Sequence, residues 1–183
     1  MLPVIQLAIF AAAKCGLASD ACPGSPVSKH AACSVTVSFP NVTCSVVQTE
    51  IEARVARVYD RKSHPGKYAL LDTEAGACTK ASRTTGDGAK PGPYTDLVGF
   101  DFADVPGTSS PTCHMIACSE SQVQSLCDYS TNFCNMFNLF CSAADGCTPV
   151  SVDIGASASM ATSNCDHTAT CGGIEDDKSQ CAR

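Results

Sequence analysis

Apolar and polar residues alternate without a break through CSVTVSFP. Cys33, Val35, Val37 and Phe39 take one side, and Ser34, Thr36 and Ser38 take the other. A period of two predicts a half-buried strand, and Pro40 ends it. The period then lengthens. In SVVQTEIEARVARV, the residues Val47, Ile51, Val55 and Val58 recur at helical spacing, which predicts an amphipathic helix over 45–58. Ser45 and Gln48 have capping-box spacing at its start, and Glu50 and Arg54 stand four apart in the favourable order. Pro65 and Gly66 stop the helix. Further strands are predicted at 67–73 (KYALLDT), 94–104 (YTDLVGFDFAD) and 113–119 (CHMIACS), and ASRTTG at 81–86 is a candidate for one more. Val98, Phe100 and Phe102 share one face of the 94–104 strand, while Asp96 and Asp101 fall on opposite faces. The glycines and prolines of DGAKPGP make the preceding connection an exposed loop.

The element order is strand, helix, then three or four strands joined by short links, which favour antiparallel pairing. The expected fold class is therefore α+β, with one helix packed on a curved antiparallel sheet and a disulfide-rich helical or loop segment following it. This resembles the element order of cystatin-like folds. The inhibitory Q-x-V-x-G motif of true cystatins is missing, and QVQSL at 122–126 does not match it. Protease inhibition of that kind is not carried over.

The most unusual pattern is CDYSTNFCNMFNLFCSAADGC at 127–147, where cysteines recur at gaps of seven, seven and six. Phe133, Met136, Phe137 and Phe140 line one face of a helix through this stretch, with Ser130 or Thr131 as its cap. On that helix Cys134 and Cys141 lie roughly 10 Å apart at the standard rise, beyond the ~7 Å that a disulfide tolerates. A spacing of seven does not converge on a metal either. Partners are expected elsewhere in the chain, among Cys78, Cys113, Cys118, Cys165, Cys171 and Cys181.

Fourteen cysteines in 183 residues, with no C-x-x-C among them, point to an oxidising compartment. The candidates for disulfides are Cys22, Cys33, Cys44, Cys78, Cys113, Cys118, Cys127, Cys134, Cys141, Cys147, Cys165, Cys171 and Cys181. The apolar, uncharged run from Leu2 to Ala13 is too short to span a bilayer and reads as the h-region of a secretory signal. A signal peptide is expected over residues 1–21, cut after Ala18 or Ala21. A single stapled α+β domain then covers 22–147, and a small-residue tail tethered by cysteines covers 148–183. Cleavage there removes Cys15 and leaves thirteen cysteines, an odd number, so either the cut lies earlier, or one thiol is free, or one pairs between chains in an intermolecular disulfide.

The net charge of −6 and the lack of a basic stripe exclude a nucleic-acid partner. No stretch after the leader is apolar enough for a membrane span. Catalysis has little raw material. His64 sits in a His-Pro-Gly turn, and His30 and His167 are scattered. His114 shares a strand face with Cys118, but that cysteine is expected to be bonded. The acidic run Glu175, Asp176 and Asp177 reads as a solvated tail. No catalytic set, metal site or cofactor is expected. Asn41-Val42-Thr43 is an N-glycosylation sequon in the turn after Pro40. The loop TTGDGAKPGPYTD (84–96), with Gly88, Lys90 and Tyr94, is the candidate binding surface.

The block 117–147, with RTTGDG and YTD upstream, resembles small, secreted, cysteine-rich proteins of unicellular eukaryotes over roughly residues 30–147. The resemblance implies secretion and carries no activity. The expected function is an extracellular binding or structural role in a wall or matrix, with an extracellular protein or glycan surface as partner. The alternative is a secreted hydrolase or hydrolase inhibitor on the same scaffold.

Overall fold

The computed structural model describes residue 15 and residues 21–57, 66–85, 94–125, 127–165 and 178–181. Within them, six strands form one sheet: β1 (Ala32–Pro40), β2 (Gly66–Glu74), β3 (Cys78–Thr85), β4 (Thr95–Asp104), β5 (Thr112–Ser121) and β6 (Ser159–Cys165). Helix α1 (Cys44–Ala56) follows β1, and α2 (Thr131–Phe140) follows β5. The chain is therefore α+β. Its sheet order is β2-β3-β4-β5-β1-β6, with the pairs antiparallel. Strands β2 to β5 form a meander. The first strand stands apart from it in sequence and lies between β5 and β6.

The alternation read in β1 is realised as burial. Val35, Val37 and Phe39 face the helices and are buried, while Ser34, Thr36 and Ser38 are half-buried on the outer face. The helix stripe meets them. Val47, Ile51 and Val55 join Val35, Val37, Val98, Phe100 and Phe102 in one core; Val58 lies outside the described residues. The start of α1 differs from the capping-box expectation. Thr43 is the N-cap, its side chain caps nothing, and the Cys44 N–H donates to the Asp104 carboxylate at 2.9 Å. Gln48 is taken up elsewhere. Its amide accepts from Gly76 N–H and donates to Thr79 and to the Cys78 carbonyl, which holds the β2–β3 turn against the helix.

Helix α2 is no appendage. Every residue from Asn132 to Phe140 is buried. Phe133, Phe137 and Phe140 make successive ring contacts along it, and Phe140 meets Phe39 edge to face. Such a helix must also settle its polar groups. At its C-terminal end, where carbonyls lack helical partners, the fully buried Arg54 donates to the Cys141 carbonyl at 2.9 Å. Arg54 also binds Glu50 at 2.8 Å, four residues earlier on α1. Glu50 in turn accepts the consecutive N–H groups of Val150, Ser151 and Val152 at 2.7, 2.7 and 3.0 Å. The i,i+4 pair is thus a buried clamp joining α1, α2 and the loop beyond them. Burial opposes the charge on Glu50, but these hydrogen bonds outweigh it and hold the carboxyl below its ordinary range.

Among the described residues, six disulfides fix the assembly: Cys15–Cys78, Cys22–Cys118, Cys33–Cys165, Cys44–Cys113, Cys134–Cys181 and Cys141–Cys147. Cys127 is bonded as well, and no cysteine among the described residues is free. As the spacing argument required, Cys134 and Cys141 do not pair with each other. The block does close on itself once, through Cys141 and Cys147. Cys171 lies outside the described residues. Cys15 is paired too, so no odd thiol is left over when it is retained. The segment after residue 147, read as a stapled loop region, supplies a strand: β6 pairs with β1, and Cys33 stands opposite its disulfide partner Cys165.

Candidate functional site

The loop singled out for binding is carried by the end of the β3–β4 hairpin. Gly88 and Lys90 lie outside the described residues, but both sides of the loop's base are defined. Thr85 N–H donates to the Tyr94 carbonyl at 2.9 Å, and Tyr94 N–H donates to Thr85 Oγ1 at 2.6 Å. Tyr94 is half-buried at this closure.

Beneath the base runs a buried polar seam. Arg83 stands opposite Asp96 in the ladder, with Nη1 3.5 Å from Oδ2 and both side chains 2% exposed. Asp96 accepts from Ser121 Oγ at 2.8 Å and from Asn135 Nδ2 at 2.9 Å. The Asn135 amide also donates to Ser119 Oγ, which donates to Asn132 Oδ1 at 2.6 Å. Asn132 Nδ2 donates to Asp128 at 2.7 Å and to the Ala31 carbonyl at 3.1 Å. The Asp128 carboxylate also receives the Asn132 backbone N–H, doing the work expected of Ser130 or Thr131 at the helix start. A Cβ on Gly66 would lie 2.7 Å from Arg83 Nε, so a side chain here would displace the guanidinium.

Chemically, the seam holds a shape; it does not present a reactive group. Asp96 is buried and already accepts from Ser121 and Asn135, so it is not presented to an outside molecule as a base. The spacing of Asn132, Asn135 and Asn138 along α2 was the available sign of it. These residues recur every three positions, beside the phenylalanine stripe that drew the helix prediction.

The other sequence candidates are dispersed. His114 is half-buried on the outer face, opposite Ser38 and Ala103, and among the described residues its ring bonds no carboxylate. Asp96 faces the helices and Asp101 the outer side, as the strand period required; Asp101 stands opposite Cys78 and Ile116. Cys118 is bonded to Cys22 and is not a nucleophile. His30 bridges the Val27 carbonyl at 2.7 Å and Glu120 at 3.3 Å. Cys22, Cys118 and Glu120 converge as metal ligands do, but the two sulfurs are joined to each other. A cleft of about 390 Å³ lies against Phe137, Ala144, Asp145, Gly146 and Lys178. Asn41 is exposed in a left-handed turn conformation (φ 64°), with Thr43 of its sequon at the helix cap. His64, His167 and the run Glu175–Asp177 lie outside the described residues, in which no helix is long and apolar enough to cross a membrane.

Comparison with protein-family models, with curated proteins and with solved structures gives no match.

Proposed function

We infer that this is a secreted, disulfide-stabilised extracellular protein with a binding or structural role in a wall or matrix, and that it does not turn over a substrate. The observation that carries the reading is the set of six disulfides among the described residues, four of which staple both faces of one sheet. Such bonds form and persist in oxidising compartments. The kinship with small secreted cysteine-rich proteins of unicellular eukaryotes belongs to the same reading, as does the cystatin-like arrangement without the inhibitory motif. So does a glycan on Asn41, which is exposed. Recognition falls to the 84–96 hairpin, because a loop on a rigid base can present a fixed surface with little ordering cost on binding. Its partner is an extracellular protein or glycan surface.

Deleting Gly88–Pro93 is the test. The melting temperature of the deletion variant should stay within a few degrees of the parent, while binding to a glycan array and to fixed cell surfaces should fall at least tenfold. Unchanged binding would remove the loop from the reading. Hydrolysis of an ester, peptide or glycoside by purified protein, abolished by His114→Ala without unfolding, would replace it with the hydrolase alternative.

A further inference from the structure

Two disulfides hold the N-terminal segment to the outer face of the sheet. Cys15 bonds Cys78 on β3, and Cys22 bonds Cys118 on β5, so the anchors fall on either side of β4. Cys15 is 4% exposed, and Ala21, just before the second anchor, is 0% exposed with φ 61°. We propose that the mature chain keeps Cys15, and that the leader is removed on its N-terminal side, after Ala13, instead of after Ala18 or Ala21. The proposal rests on the secretory reading above and deepens it by assigning the processing site.

Three observations support it. First, cysteine parity closes only with Cys15 present. Removing it would leave Cys78, which is fully buried, as an unpaired thiol in an oxidising compartment. Second, a cut after Ala21 would remove a fully buried residue and place a new α-amino group, with a pKa of about 7.7–8.0, on the half-buried Cys22 beside it. Third, something covers β4 on this face. Asp101, directly opposite Cys78, has a buried Oδ1 without a hydrogen bond, although it points away from both helices. Cys15 and Cys22 are the described residues outside the sheet that disulfides bring beside it. On the sequence side, Ala11 and Ala13 are small residues at the two positions that leader cleavage requires. Leu2 to Phe10 then remains as an apolar h-region within the usual range of about 7–15 residues.

The experiment expresses the full chain through a eukaryotic secretory pathway. Protein from medium and cells is alkylated without reduction and mapped by mass spectrometry. The expected mature N-terminal peptide starts at Lys14. No cysteine should be alkylated, and a cross-linked peptide should join Cys15 to Cys78. An N-terminus at Ser19 or Cys22 in the medium, with Cys78 alkylated or joining two chains, overturns the proposal and leaves secretion standing. An uncut Met1 terminus in the medium also overturns the assigned cut. Protein confined to the cell with its thiols free overturns both readings. As a second arm, Ala13→Asp should block the cut and leave the leader attached; unchanged processing of that variant counts against Ala13.

Discussion

Glu50 and Arg54 carry a different weight from the one their spacing suggests. An exposed i,i+4 pair contributes a few tenths of a kcal/mol, whereas breaking a buried pair costs about 3–5 kcal/mol because the remaining charge is stranded. Glu50→Gln should therefore lower stability at pH 7 into that range, read as the shift in urea midpoint. The pH dependence has a definite sign. The folded-state pKa values of Glu50 and Asp145 lie below their ordinary values. For Asp145, burial works the other way, and hydrogen bonds from Ser142 with the nearby Lys178 charge outweigh it. Such groups stabilise fully above the unfolded pKa, about 4. That contribution is lost as the pH falls through the lower folded values. The parent should lose stability between pH 5 and pH 3, and Glu50→Gln should lose less over the same interval. An equal loss in both proteins would assign the acid limb to other carboxylates. The sequence displayed the pair, but nothing local told that Val150, Ser151, Val152 and the Cys141 carbonyl would enclose it.

Elements were more legible than their ends. The helical stripe Val47, Ile51 and Val55 and the strand faces 35/37 and 100/102 meet as their periods require, because apolar periodicity is written locally. Ile51→Ala should cost about 2–5 kcal/mol in a denaturation curve, since Ile51 is fully buried at the centre of that contact. A cost near zero would mean that the helix face is solvated. Caps were not legible. The first N–H of α1 goes to Asp104, sixty residues on, and Gln48 serves the β2–β3 turn instead of the helix start. β6 escaped notice because SMATSNC has small side chains and almost no apolar alternation. It is a strand because β1 offers it an edge. The polar seam under the hairpin was equally hidden, for it draws on β3, β4, β5 and α2 together.

At the scale of the whole molecule, the covalent bonds join what the sheet order already places together. Cys33–Cys165 bridges β1 to β6, Cys44–Cys113 joins α1 to β5, and the two N-terminal bonds cross to the outer face. Each contributes about 2–4 kcal/mol in the usual case. The oxidised protein should resist heat, and reduction under denaturing conditions followed by alkylation should lower its melting temperature by tens of degrees or abolish the transition. A melting temperature that survives full reduction would show that the core alone suffices, as a chain of this length can in principle manage.

The place of β1 dictates an order of events during synthesis. It is the first strand made, yet both of its neighbours come late: Phe39 waits for Cys113, and Cys33 for Cys165, 132 residues downstream. The meander β2–β5 needs only neighbours in sequence and can pair as it emerges, since local contacts form soonest. Assembly therefore departs from the order of translation, with the middle first, the oldest strand next and the youngest last. Until Thr112 emerges, β1 is an alternating ribbon with two open edges, the form in which strands pair with other chains. A ribosome that pauses between residues 41 and 111 holds the nascent protein at its most aggregation-prone.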